Sequence, residues 1–264
     1  MSAATDPSAP TDDGLIAHGV DDEPPAGNQR RLLGWQHWTF YVFAVVYAGF
    51  HLYSLNIAPL ETWTFRILHI AGALMLGFAL LSAWTPSEKS LLNLPAPVRI
   101  PFAGAAIAGL GWALFCLVYA YWLRHVGGQA NPPSWVFGDG FGWSLSGATA
   151  IAIVAGWAFK SREDRVAWCD WVLMGAAAIV CAYLLFVINR HRMTAGTPFA
   201  QPADMWATLT GTLLILELTR RAAGLALVVI AGIFVSYAFL GPFLPGFLEH
   251  GGFKVWAFFP DIYT

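Results

Sequence analysis

Seven predominantly apolar stretches, each near twenty residues long, constrain this chain more than any other feature. They lie at 34–56, 64–84, 100–123, 142–160, 168–188, 203–219 and 224–243. About 20 apolar residues in a helix match the roughly 30 Å of a bilayer's hydrocarbon core. Backbone polar groups in lipid must be satisfied within their own segment, which selects helices. Only 11% of the residues are charged and 57% are hydrophobic, where a soluble domain carries about 25% charged residues. The pattern predicts an all-α integral membrane protein of about seven transmembrane helices. Ser144, Ser146 and Thr149 make the fourth stretch the weakest, and six spans remain if it fails to cross. Connections are short and carry Pro or Gly, as at Ala58-Pro59, Pro95-Ala96-Pro97 and Asn131-Pro132-Pro133.

Charge divides the chain. Six of its 16 acidic residues and none of its 14 basic ones lie in residues 1–29, which leaves the remainder at +4. Residues 1–29, rich in Pro, Ala, Asp and Gly, read as a disordered acidic tail. They lack the basic start and apolar core of a signal peptide. Residues 30–250 form the polytopic membrane domain, and residues 251–264, apolar but short, read as an interfacial segment. With the N-terminus inside and the C-terminus outside, nine Lys or Arg fall on the cytoplasmic side against five outside. The positive-inside rule favours that orientation.

The stretch from Pro202 to Gly246 reads as a helical pair joined by a charged turn. Pro202 suits a helix start, and Asp204 suits its positive first turn. Arg220 and Arg221 suit the negative last turn, and Gly224 suits a left-handed closing residue. Glu217 precedes the arginines by three and four residues, so it can pair with either across one helical face. One reading makes these charges a cap held at the cytoplasmic headgroups. In the other, Glu217 fixes the turn itself, against a partner subunit or without one. Exposed pairs of this kind are worth about 0–1 kcal/mol. Glu217 and Asp170 both fall near helix ends, where interfacial water would reach them.

A secondary transporter usually shows interrupted helices or buried acids at mid-depth. Here no Asp, Glu or Lys occupies the middle of a span. Ser144, Ser146 and Thr149 read as packing contacts between helices rather than as a ligand site. Small residues four apart (Ala44/Ala48, Ala73/Gly77, Ala105/Gly109, Ala148/Ala152/Gly156, Ala178/Ala182) allow close helix approach. Trp35, Trp38, Trp84, Trp122, Trp168 and Trp171 sit near segment ends, as an aromatic belt requires. Arg66 and His69 share a helical face and read as a packing or subunit contact. Cys116, Cys169 and Cys181 have no ligand-like spacing and read as packing residues. His37 and His51 lie near one helical face, about 21 Å apart. Such a pair raises a second class of function, a membrane anchor or cytochrome-b-like subunit of a redox complex. A two-haem cytochrome needs a second helix bearing two histidines, and none is present. His125, His191 and His250 fall in connections.

The string Glu217-Leu-Thr-Arg220-Arg221-Ala-Ala-Gly224 is followed by an apolar run, Tyr237, Gly241-Pro242 and Leu244-Pro245-Gly246. This wording resembles the fused membrane permeases of tripartite ATP-independent periplasmic (TRAP) transporters of the TAXI type, in the part that precedes their large transport domain. The resemblance covers 204–251, extends to 65–86 and 170–198, and is slight before Trp38 and between Ile100 and Phe159. It includes the Arg66…His69 start of the second segment, Asp170-Trp171, Gly196, Pro198 and Asp204. The acidic tail and the apolar material between Ile100 and Phe159 depart from it. The resemblance implies a small membrane subunit, or a detached N-terminal membrane region, in the bacterial inner membrane. Its partners would be a large membrane subunit, a periplasmic TAXI solute-binding protein and lipid, with no nucleic acid. It implies no enzyme activity and no cofactor on this chain, with the coupling ion, commonly Na⁺, bound by the large subunit.

Overall fold

The structure, a computed structural model, describes residues 27–84, 96–129, 132–159, 164–186 and 202–253. These form seven α-helices: α1 (Gly34–Asn56), α2 (Thr62–Leu80), α3 (Ala96–His125), α4 (Asp139–Ala158), α5 (Trp168–Phe186), α6 (Pro202–Ala223) and α7 (Leu225–Leu240). Two short 3₁₀ turns follow, Gly241–Phe243 and Gly246–Leu248. The only sheet-like pairing among the described residues is an isolated antiparallel bridge between Gln29 and Leu81.

Six of the helices, α1 to α5 and α7, are long and apolar enough to cross a membrane. The chain is a multi-pass helical membrane protein by that measure. The expectation about its weakest span is corrected. The fourth segment meets the criterion, and the sixth, 203–219, does not. The sixth also carries Asp204 and Glu217, which lower its mean hydropathy, and the polar groups of both helices face inward. Ser146 and Thr149 of α4 are buried, and Ser146 Oγ lies 2.9 Å from Thr210 Oγ1 of α6. On α6, Asp204, Thr208, Thr210, Glu217 and Arg221 are all buried. A helix that turns its polar residues inward loses mean hydropathy without becoming a surface helix. At 22 residues, α6 is about 33 Å long.

The bundle centres on α4 and α5. α4 packs on α3, α5 and α6, and α5 packs on α2, α3 and α6. Two thirds of α5's apolar window is buried, against 6% of α7's. α1 rests chiefly on α2, and α7 on α6. Both leave large apolar side chains exposed, among them Val45, Leu52, Ile233 and Phe234. Contacts between helices rest on small residues at several points. A Cβ built on Gly109 of α3 would lie 2.8 Å from the Ser144 carbonyl oxygen, and one on Gly142 would strike the Trp206 ring. Ala148, Ala152 and Gly156 are buried along α4, whereas Ala48 of α1 and Ala178 of α5 are exposed.

The start of α1, the ends of α2, α4 and α6, and the start of α5 gather at one end of the bundle, tied by the contacts described below. Neighbouring helices therefore alternate in direction. Gly224 separates α6 from α7 with φ 84° and ψ 178°. Only glycine adopts that combination freely, and it differs from the left-handed helical closure the sequence predicts.

The expected tail, residues 1–29, is partly corrected. Ser82 N–H donates to the Asn28 carbonyl at 2.9 Å, and Arg30 N–H to that of Leu80 at 2.8 Å. Residues 27–29 are thus docked on the end of α2, while residues 1–26 lie outside the described residues, as do 254–264. His125 ends α3 rather than lying in a connection, and His191 lies outside the described residues.

Candidate functional site

Where α2 ends, its last carbonyls have no helical N–H partner and need donors. Arginines supply them. Arg30 Nη1 donates to the carbonyls of Phe78 (2.9 Å) and Ala79 (3.3 Å), and Arg221 Nη1 donates to that of Leu81 (3.1 Å). Both guanidiniums converge on Asp170 in the first turn of α5. Arg30 Nη2 donates to Asp170 Oδ2, and Arg221 Nη1 to Oδ1 at 2.7 Å. A negative side chain there also complements the positive end of the helix dipole.

Glu217 extends the cluster. Arg221 Nε donates to Oε1 at 2.7 Å, while Arg220 donates from Nε to Oε2 at 2.9 Å and from Nη2 to Oε1 at 3.0 Å. Trp157 Nε1 adds a fourth bond, to Oε2 at 3.1 Å. Arg220 Nη2 reaches back to the Ala83 carbonyl at 3.1 Å. Trp84 Nε1 donates to the carbonyls of Gly156 (2.9 Å) and Trp157 (3.0 Å) at the end of α4. Asn28 Nδ2 donates to the Arg221 carbonyl at 2.6 Å. The guanidiniums also lie over rings, Arg221 above Phe78 and Arg220 above Trp157. Each of these offers cation–π attraction.

Two expectations fall here. Asp170 and Glu217 are not in reach of interfacial water: their side chains are 1% and 2% exposed. Nor does Arg221 anchor at headgroups, because its side chain is fully buried; Arg220's is 18% exposed. The cause is convergence of five chain segments, which excludes water from charges that spacing alone places at helix ends. Three guanidiniums against two carboxylates leave a formal charge of +1. Every carboxylate oxygen accepts from at least one guanidinium, so an incoming cation would have to displace an arginine. The arrangement clamps helix ends together.

Other sequence candidates lie elsewhere. Asp204, in the first turn of α6, accepts from Tyr183 Oη at 2.7 Å. Its own carbonyl accepts from Thr208 Oγ1 at 2.8 Å. This buried polar seam sits at the opposite end of the bundle from the arginines. Arg66 is exposed. His69 belongs to a group with Tyr47 and His51 of α1: Tyr47 Oη donates to the His69 carbonyl at 2.7 Å, and His51 Nε2 lies 2.7 Å from His69 Nδ1. The two imidazoles thus hydrogen-bond one another. After α7, the His250 ring lies tilted against Tyr237, centroids 4.6 Å apart, and donates from Nε2 to the Tyr237 carbonyl at 3.0 Å. The Gly241 carbonyl accepts from His250 N–H, and Gly252 packs against Pro242. Pro245 precedes Gly246, which has φ 64°. Gly196 and Pro198 lie outside the described residues. Cys116, Cys169 and Cys181 are buried free thiols.

Sequence reasoning missed Arg30, Asn28, Trp84 and Trp157 as members of the cluster. Arg30 counts among loop charges in the orientation argument, and only its place beside the first apolar stretch marks it. Trp84 carries the signal of a belt, whereas it and Trp157 spend their N–H groups inside the cluster.

Compared with protein-family models, curated proteins and solved structures, the chain finds no match.

Proposed function

We propose that this chain is a membrane scaffold subunit of an ion-gradient-driven, binding-protein-dependent TRAP transporter of the TAXI type, working in a bacterial inner membrane. In this reading all seven helices cross, with the N-terminus in the cytoplasm and the C-terminus outside. A large membrane subunit carries the solute and the coupling ion, commonly Na⁺, and receives solute from a periplasmic binding protein. The observation that carries the proposal is the fate of the string from Glu217 to Gly224. The residues that resemble the TAXI permeases form a buried clamp across five chain segments rather than a surface cap. Its carboxylates are committed to arginines. A body tied in this way suits a stationary support better than a carrier that rocks around a site. The exposed apolar faces of α1 and α7 leave area for lipid and for a large subunit.

The test is reconstitution. The purified chain in liposomes takes up no solute under a Na⁺ or proton gradient, and uptake appears once the large subunit and the binding protein are added. Robust gradient-driven uptake by the chain alone would overturn the scaffold reading.

A further inference from the structure

Beside the clamp, α1, α2 and α5 enclose an open-sided groove of about 310 Å³. Thr39, Phe40 and Phe43 of α1, Met75 of α2, and Trp171 and Ala178 of α5 line it. From Trp171 to Ala178 it runs about 10 Å along α5. It begins below the stacked rings of Trp35 and Trp171, whose centroids are 6.2 Å apart, with Phe40 against Trp171 at 5.9 Å. Such rings sit at the headgroup level of a bilayer.

Above that level lie two exposed cations. Leu33 N–H donates to the Asp164 carbonyl at 3.2 Å, which holds the segment bearing Arg31 beside the one bearing Arg165. Arg31 is exposed and makes no ion pair with a described residue. Arg165 is 70% exposed and only 3.9 Å from its neighbour Asp164. From the surface inward, the order is thus guanidinium, aromatic pair, apolar slot.

We propose that this groove binds a phospholipid with an anionic headgroup, its phosphate between Arg31 and Arg165 and one acyl chain along α5. The occupant follows from charge complementarity. Within a bilayer an apolar slot gains little over bulk lipid, because lipid tails are as apolar as the helix surface. Preference must come from the headgroup, where each basic residue attracts anionic lipid. The inference needs only that the helices cross a membrane and is independent of the transport reading.

Purified full-length chain in detergent is titrated with phosphatidylglycerol or phosphatidylcholine of identical acyl chains. Thermal stability and native mass spectrometry are the readouts. Two guanidiniums predict roughly thirtyfold tighter binding of the anionic lipid. R31Q/R165Q, at exposed positions, keeps the melting temperature of the lipid-free chain and loses that preference. A178F, also at an exposed position, fills the slot and weakens binding of both lipids. Equal binding of the two lipids by the unaltered chain, or a preference that survives R31Q/R165Q, overturns the proposal. Binding that A178F leaves unchanged overturns it as well.

Discussion

Asp170 is the residue on which the clamp turns, because its carboxylate accepts from both Arg30 and Arg221. Removing one partner of a buried ion pair typically costs about 3–5 kcal/mol, since the remaining charge is left without compensation. Asp170→Asn should therefore destabilise the chain on that scale in thermal or denaturant melts. Arg30→Gln in the same background should cost much less than it does alone. Strict additivity of the two would show that they do not act through each other. Glu217→Gln belongs with Asp170→Asn rather than with surface pairs, because Glu217 accepts four bonds in a buried site. The pairing of Glu217 with Arg220 and Arg221 is legible in the sequence, where spacings of three and four residues fix it. Its burial is not, and neither is the link to Asp170. Those depend on residues that lie 51 and 140 positions apart along the chain, which no local pattern encodes.

At the scale of helices, apolar length was the readable quantity, and it placed α1 within its observed bounds. It misranked α4 and α6 because segment length overlooks Asp204 and Glu217, which lower the mean hydropathy of α6. Ser146 and Thr210 meet inside the bundle, so each helix shields the other's hydroxyls. The small-residue spacing was partly informative. Gly109 marks a true close approach of α3 to α4, whereas Ala48 is exposed. Gly109→Ala should push a methyl group against the Ser144 carbonyl and cost about 1–3 kcal/mol, the usual scale of overpacking. Gly111→Ala in the same helix meets open space and should be neutral or slightly stabilising, as alanine favours helix over glycine. Melting curves of the two variants in one detergent decide the matter, and equal losses would remove the α3–α4 contact from the account.

For the whole molecule, the proposed topology predicts labelling on opposite sides. In intact cells a cysteine replacing Asp13 should be shielded from impermeant thiol reagents, and one replacing Gly251 should react. The three native cysteines are buried and give little background. Equal labelling at both sites would mean an even number of crossings, and α6, the least apolar helix, would be the first to question. The clamp also has a consequence for biosynthesis. Asp170 and Arg30 both precede Arg221, by 51 residues in the case of Asp170. At about 5–20 residues per second, the ribosome finishes Arg221 roughly 3–10 s after Asp170. Throughout that interval the carbonyl of Leu81 and one oxygen of Asp170 await their final donor. The nascent chain thus carries an unfinished polar junction until its sixth helix is made. A truncated or stalled product presents that junction to the membrane quality-control machinery, and a completed one hides it.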